Sequence, residues 1–128
     1  LIYIHDGARP CISREIIKNC EEAALQYGAC TAAVPVKDTI KVVSPEGFAV
    51  DTPDRNTLWQ IQTPQVFRSD IISSAYAKMY ADTDRGTITD DAMLVERYTD
   101  VPVKMAMGAY TNIKITTPED MGIAVQYL

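Results

Sequence analysis

The first ten residues constrain the fold more than any other stretch of the chain. Leu1–Ile4 are apolar and rich in β-forming residues, and they stop at a dense polar loop, His5–Pro10. This pattern is typical of a buried parallel strand whose C-terminal end reaches a ligand crevice. In that loop Asp6 offers a carboxylate for a metal ion or a hydroxyl, and Arg9 offers a planar group suited to phosphate. Gly7 lets a ligand approach the backbone. The alternative interpretation is a solvated loop at a strand end.

The next residues predict a helix followed by a second strand. Ser13 can cap a helix that begins at Arg14, and Gly28 stands where that helix should end. Cys30–Val36 then indicates a short buried strand. Strand, helix and strand within about 35 residues form a βαβ unit, for which we expect a parallel pair of strands.

The middle of the chain departs from this rhythm. Lys37–Val43 alternates polar and apolar residues, Ser44–Gly47 suits a type I turn, and Phe48–Thr52 runs back. These features predict a β-hairpin inserted into an α/β domain. Because an isolated hairpin is marginally stable in water, it should pack on another surface, and a second subunit could supply one.

Two interpretations fit Pro53–Phe67, which is rich in amides and carries the only Trp. It is either a well-ordered binding loop or an ordinary strand and turn that returns to the core.

Beyond it, Ser69 can cap a second helix. Thr89 precedes Asp90 and Asp91, two acids suited to the first turn of a short helix, so capping alone could explain all three.

The last third predicts two more strands and a helix. Val101–Met107 and Asn112–Thr116 are the strands, with Lys114 near the end of the second. Thr117 followed by Pro118 is typical of a capped helix start, and we expect that helix to run to the C-terminal residue.

Size and charge exclude several classes of protein. The 128 residues suit one domain with one core, and the net charge of −5 argues against binding to nucleic acid or to an anionic membrane. No apolar run approaches the ~20 residues that a membrane span needs. The three cysteines, Cys11, Cys20 and Cys30, lack metal-site spacing, which favours reduced thiols in the cytoplasm.

Several polar side chains are expected at the ends of elements, where an open α/β sheet can gather them around one crevice. They are Asp6, Arg9, Thr39, Arg55, Thr63, Thr89 and Lys114. Basic groups around a carboxylate suit phosphoryl or nucleotidyl transfer, in which the protein mainly positions groups and neutralises charge. His5 beside Asp6 suggests acid–base chemistry, but a hydrogen-bonded structural role is the more common one for a lone histidine.

Five segments in one order resemble the 2-C-methyl-D-erythritol 4-phosphate cytidylyltransferase family of non-mevalonate isoprenoid synthesis. They are His5–Pro10, Pro35–Lys41, Asp54–Asn56 with Thr63–Gln65, Thr89–Ala92 and Asn112–Thr116. The resemblance spans essentially the whole chain. It implies a Rossmann-like nucleotidyltransferase fold of the α/β class, with a mostly parallel sheet flanked by helices. The hairpin resembles the family's dimerisation arm, here about residues 37–60 of a domain that covers residues 1–128.

The resemblance also implies a reaction. The phosphate of methylerythritol phosphate attacks the α-phosphate of CTP, giving the CDP-alcohol and pyrophosphate, with Mg²⁺ held mainly by the CTP phosphates rather than by protein ligands. Arg55 and Lys114 are implied to position the substrate for attack. Asp6, Arg9, Thr39, Thr63 and Thr89 are implied to contact its phosphate or hydroxyls, and Gly7 is implied to lie near the ribose of the nucleotide.

A homodimer is implied as well, in which Thr39 and Arg55 on the arm complete the site of the neighbouring subunit. Members of the family begin with a glycine-rich loop, a basic segment and a lysine that hold CTP, and none of these is found in this sequence. The chain therefore resembles the C-terminal half of such an enzyme. We expect it to have little or no transferase activity alone.

Two other functions fit the same residues. One is a related cytidylyltransferase that acts on ribitol 5-phosphate, with the same chemistry on a different alcohol. The other is a non-catalytic assembly domain, in which the hairpin mediates dimerisation and the polar loops are merely solvated.

Overall fold

The computed structural model describes residues 1–128 as a four-stranded sheet flanked by helices, with a separate two-stranded hairpin. The elements in chain order are β1 (Ile2–Ile4), α1 (Arg14–Tyr27), β2 (Ala29–Pro35), β3 (Val42–Val43), β4 (Ala49–Asp51), a 3-10 turn (Arg55–Thr57), β5 (Trp59–Phe67), α2 (Ser69–Ala81), α3 (Asp91–Tyr98), β6 (Lys104–Met107) and α4 (Pro118–Tyr127). The predicted α/β class is confirmed. None of the helices is both long enough and apolar enough to cross a bilayer.

The sheet has the strand order β1-β5-β2-β6. Strand β5 is antiparallel to both β1 and β2, whereas β2 and β6 are parallel. Three strands therefore run in one direction and β5 runs in the other, so the sheet is mixed. The expected direct pairing of β1 with β2 is wrong, because the nine-residue β5 returns from the hairpin and inserts between them.

Helices cover both faces of this sheet. Buried residues of α1, among them Ile16 and Cys20, pack with Cys30 and Ala32 of β2. Ala29, on the opposite face of the same strand, belongs to a second cluster with α2 and α3. Successive side chains of a strand point to opposite faces, so β2 separates the two clusters. Cys11, Cys20 and Cys30 are buried free thiols, as predicted.

Local capping chemistry fixes the ends of α1 and the start of α4 as predicted. Ser13 Oγ accepts a hydrogen bond from the Ile16 amide at 3.3 Å, and Gly28 ends α1 with φ at +90°. At α4, Thr117 and Asp120 form a capping box. The carboxylate of Asp120 accepts hydrogen bonds from the amides of Thr116 and Thr117, which holds its pKa below the usual range.

Gly28→Ala should destabilise the fold, because φ at +90° strains any residue with a Cβ and because that Cβ would lie 2.7 Å from Ile71 Cδ1. We expect a loss of about 1–3 kcal/mol in the free energy of unfolding, measured by urea denaturation. Gly122→Ala is the matched control. A Cβ there meets nothing within 4 Å, so in a helix it should stabilise by about 0.5–1 kcal/mol. Equal effects of the two substitutions would contradict this account.

Strands β3 and β4 form the predicted hairpin, which we call the arm together with its connections to β2 and β5. Val42 pairs with Asp51 and Val43 with Ala49, and every residue of both strands is exposed. Phe48 retains 73% of its accessible surface. The arm therefore presents apolar side chains that the rest of the chain does not cover.

Two predicted helix starts are shifted by one residue. Helix α2 is preceded by Arg68 rather than capped by Ser69, which is its first helical residue. Helix α3 is capped by Asp90 rather than Thr89, because Asp90 Oδ1 accepts the Met93 amide at 2.8 Å. The Asp90 carboxylate is therefore the capping group, where the sequence pattern predicted the Thr89 hydroxyl.

Asn112–Thr116 is not the strand that was predicted. The segment joins no sheet, and the Ile115 amide donates to the carbonyl of Ala8, in the loop after β1, at 2.8 Å. Its partner is thus a loop rather than a strand edge. In the case of Pro53–Phe67, the strand interpretation is the correct one for Trp59–Phe67.

Candidate functional site

Asp6 brings two cationic side chains together where β1 ends. Its Oδ2 lies 3.4 Å from Arg9 Nε and 3.3 Å from Lys114 Nζ. The Arg9 side chain is only 12% exposed, whereas that of Lys114 is 48% exposed. Lys114 therefore meets two residues of a loop more than 100 positions earlier in the chain, with Arg9 held firmly and Lys114 facing solvent.

Thr63 and His5 fix the loop that carries Asp6. The Asp6 amide donates to Thr63 Oγ1 at 3.0 Å, and His5 uses both ring nitrogens, with Nδ1 2.9 Å from Thr63 Oγ1 and Nε2 3.0 Å from the Arg9 carbonyl. Since a carbonyl only accepts, Nε2 is the donor, and in the neutral ring Nδ1 accepts the threonine hydroxyl. This geometry favours the structural role of His5.

A cavity of about 590 Å³ opens beside this cluster, within the size range of small-molecule sites. Its lining includes Arg9, Gln60, Tyr110, Asn112 and Lys114. The Asn112 carbonyl accepts a hydrogen bond from Arg9 Nη1 at 2.7 Å, so the guanidinium is fixed at the cavity wall. The two cations face a space that could admit a sugar-alcohol phosphate.

Gly7 follows Asp6 in the same loop. Its φ is not left-handed, and a Cβ added there would meet nothing within 4 Å. The fold alone therefore does not require glycine at this position, and the backbone is open to approach. Contact with a nucleotide stays a prediction.

Three predicted site residues lie away from this cluster within one chain. Thr89 lines a different cavity, of about 310 Å³, and donates to Met93 Sδ at 3.4 Å. Thr39 and Arg55 are exposed at the arm, where Arg55 Nη1 donates to the Lys37 carbonyl at 2.7 Å. None of the three contacts Asp6 or lines the larger cavity. Their roles stay predictions.

The Thr89–Ala92 segment is held by buried polar contacts. Gln65 donates to Asp90 Oδ2 and accepts from the Ala92 amide, each at 2.9 Å. Asp91 accepts a short hydrogen bond from the Tyr76 hydroxyl. That bond to a carboxylate, together with burial, raises the pKa of Tyr76 to about 12. These contacts fix the start of α3 against β5 and α2.

Sequence reasoning did not identify Gln62 and Asn112 as site residues, yet both line the cavity. Asn112 is fully buried, and its Nδ2 donates to Gln62 Oε1 at 3.1 Å. Two amides 50 residues apart carry no shared local signal, because only the folded chain brings them together.

Comparisons with known proteins agree with this geometry. Residues 1–128 match the family described as "IspD: 2-C-methyl-D-erythritol 4-phosphate cytidylyltransferase". A relative of that name from Lachnospira eligens is 57% identical over 127 residues, which are 99% of this chain and 56% of the relative. One from Caldanaerobacter subterraneus is 50% identical over 128 residues, covering 100% of this chain and 55% of the relative. The chain thus spans about half the length of the curated relatives that it matches.

Solved structures agree as well. The 4-diphosphocytidyl-2C-methyl-D-erythritol synthase of Anaerococcus prevotii superposes with a TM-score of 0.87 at 37% identity, over 98% of this chain and 57% of that one. The 2-C-methyl-D-erythritol 4-phosphate cytidylyltransferase of Thermus thermophilus gives 0.83 at 31% identity, over 98% and 60%. The predicted Rossmann-like fold is confirmed by these neighbours. The chain belongs to the IspD family of 2-C-methyl-D-erythritol 4-phosphate cytidylyltransferases.

Proposed function

We propose that this chain forms the alcohol-phosphate part of an enzyme that transfers the cytidylyl group of CTP to 2-C-methyl-D-erythritol 4-phosphate. The observation that carries the proposal is the meeting of Asp6, Arg9 and Lys114 at the edge of a 590 Å³ cavity. Family membership supplies the identity of the substrates. The enzyme would work in non-mevalonate isoprenoid synthesis in the cytoplasm.

The cluster suits a phosphate ligand for electrostatic reasons. The single carboxylate of Asp6 is shared by two cations, so these three side chains together carry a net positive charge. A phosphate can take over the Lys114 ammonium and the free donors of Arg9 through charge-assisted hydrogen bonds. Asp6 then has lone pairs available for a substrate hydroxyl.

The chemistry proposed is an in-line displacement. A phosphate oxygen of the alcohol phosphate forms a bond to the α-phosphorus of CTP, the bond to the β-phosphate oxygen breaks, and pyrophosphate leaves. Lys114, together with Arg55 of a neighbouring subunit, would hold the attacking phosphate at the right distance and reduce the repulsion between two anions. The backbone of Gly7 would lie against the ribose.

Magnesium would enter as part of the nucleotide substrate. The chain contains no group of three or more His, Cys, Asp or Glu side chains placed to hold a metal ion. Of the two carboxylates nearest the cavity, Asp6 is already paired with two cations, and Asp120, which lines the cavity, accepts the hydrogen bonds of the α4 capping box. We therefore assign the ion to the phosphates of CTP.

The arm would complete the site across a homodimer. Its base is fixed near the cavity, because Lys37 Nζ lies 3.7 Å from the ring centroid of Tyr110, whose hydroxyl donates to the Pro35 carbonyl at 2.7 Å. Its far end exposes Phe48 and other apolar side chains. A two-stranded hairpin of this kind needs a partner surface, and a second copy would bring Thr39 and Arg55 to the neighbour's cavity.

The proposal predicts that the folded chain binds 2-C-methyl-D-erythritol 4-phosphate, and binds it more tightly than ribitol 5-phosphate, in isothermal titration calorimetry. The reverse preference would favour the ribitol phosphate enzyme. Absence of binding to either ligand would favour a non-catalytic assembly domain.

With CTP also present, we expect little or no pyrophosphate release from the chain alone. Robust turnover would show that this last expectation is wrong.

A further inference from the structure

Asn112 is the residue that ties the unpaired segment Asn112–Thr116 to the sheet. Its side chain is completely buried. Nδ2 donates two hydrogen bonds to β5, to Gln62 Oε1 at 3.1 Å and to the Thr63 carbonyl at 2.9 Å. Because the segment has no strand partners, these bonds replace the ladder that would otherwise hold it.

The same segment positions both cationic groups, Arg9 through a main-chain carbonyl and Lys114 as one of its own residues. The Asn112 carbonyl accepts from Arg9 Nη1 at 2.7 Å, and Lys114, two residues further on, reaches Asp6 at 3.3 Å. The Ile115 amide donates to the Ala8 carbonyl at 2.8 Å, next to Arg9. A shift of Asn112 would therefore displace both cations relative to the cavity.

The unpaired side-chain oxygen of Asn112 indicates that this amide does more than fill space in the core. Asn112 Oδ1 is buried without a hydrogen-bond partner. Burying an unpaired acceptor is unfavourable, and an apolar side chain of similar size would avoid that cost. The asparagine is therefore explained by its two donated bonds, which fix the geometry of the segment.

Gln62 supports Asn112 from the other side. Its Nε2 donates to the Ala109 carbonyl at 2.8 Å while its Oε1 accepts from Asn112. Gly108 leaves room for this amide, since a Cβ added at Gly108 would overlap Gln62 Oε1. Substitution at Gly108 therefore offers a way to disturb the network without changing any group proposed to touch the ligand.

We infer that Asn112 is a positioning residue, whose amide network with Gln62 holds Arg9 and Lys114 at one spacing for the phosphate of the substrate. The inference rests on the proposed function, because that function identifies the ligand. It adds that phosphate affinity depends on a fully buried amide side chain that acts through Arg9 and Lys114.

Two variants and two measurements test this. For Asn112→Ala and Gly108→Ala we expect the Kd for 2-C-methyl-D-erythritol 4-phosphate to rise about tenfold or more, because misplaced groups lose much of their binding energy. Amide hydrogen exchange at Ile115 should accelerate in both variants, while exchange at Ala32 in β2 stays slow. Ile72→Val, a substitution in the core cluster on the other face, is the control for general destabilisation. It should leave the Kd and the exchange at Ile115 unchanged.

Each outcome decides the inference. Wild-type Kd and wild-type exchange at Ile115 in a folded variant would overturn it, as would equal changes in the Ile72→Val control. If Asn112→Ala does not fold, Gly108→Ala gives the answer alone. If the wild-type chain itself does not bind the ligand, the proposed function fails. The inference about phosphate affinity fails with it, and the exchange at Ile115 then shows only whether the amide network fixes the segment.

Discussion

Lys114→Ala is expected to weaken the binding of 2-C-methyl-D-erythritol 4-phosphate roughly 10- to 150-fold, equivalent to about 1.5–3 kcal/mol. Lys114 is the more exposed of the two cations that Asp6 holds, so it is the one free to turn towards a ligand. Its removal also leaves Asp6 with one cationic partner, and the carboxylate then repels an incoming phosphate. Isothermal titration calorimetry measures the change in Kd.

Two controls separate this effect from a change in net charge or in folding. Lys18→Ala removes an equally charged side chain from an exposed pair with Glu22 on α1, and it should leave the Kd within error. Lys114→Arg keeps the charge but not the shape of the ammonium, so we expect partial recovery. If Lys114→Ala binds as tightly as the wild-type chain, the cluster at Asp6 is not the phosphate site.

Helix ends and turns that are determined by neighbouring residues were predictable from the sequence. Ser13, Gly28 and the Thr117 capping box act within a few residues, so their side-chain types reveal where α1 and α4 begin or end. The arm was predictable for the same reason, since its alternation and its turn residues are local. These features account for most of the boundaries that were correct.

The sheet order depends on non-local pairing and was not predictable in this way. Nothing in the local pattern of β5 states that it inserts between β1 and β2. Asn112–Thr116 alternates like a strand, yet the folded chain offers it the loop carbonyl of Ala8 rather than a strand edge. Patterning indicates that a segment can form a strand, and the remainder of the fold decides whether it joins a sheet.

The same distinction between local and non-local features applies to the residues of the candidate site. Asp6, Arg9 and Lys114 could be chosen because charged side chains next to the ends of predicted strands can meet at one crevice of an open α/β sheet. Gln62 and Asn112 could not, since buried amides are recognised only by their partners. Thr39 and Arg55 lie outside the single-chain cluster, so their part in the site depends on a second subunit that the sequence alone can only suggest.

A heterodimer of an Arg55→Ala chain and a Lys114→Ala chain should regain about half of the ligand sites of the wild-type dimer, although neither variant alone binds well. If each site combines Lys114 of one subunit with Arg55 of the other, one of the two sites keeps both residues and the second loses both. Co-expression with two affinity tags isolates this species. Calorimetry then counts its sites, and analytical ultracentrifugation verifies that it is a dimer.

The same experiment distinguishes the alternative, in which Arg55 serves the cavity of its own chain. Every site of the heterodimer would then lack one residue, and no site with wild-type affinity would appear. The exposed position of Arg55, bonded only to the Lys37 carbonyl at the base of the arm, favours the shared arrangement. A chain that sediments as a monomer would contradict both the dimer and the role of the arm. In that case the apolar surface around Phe48 would need a different partner.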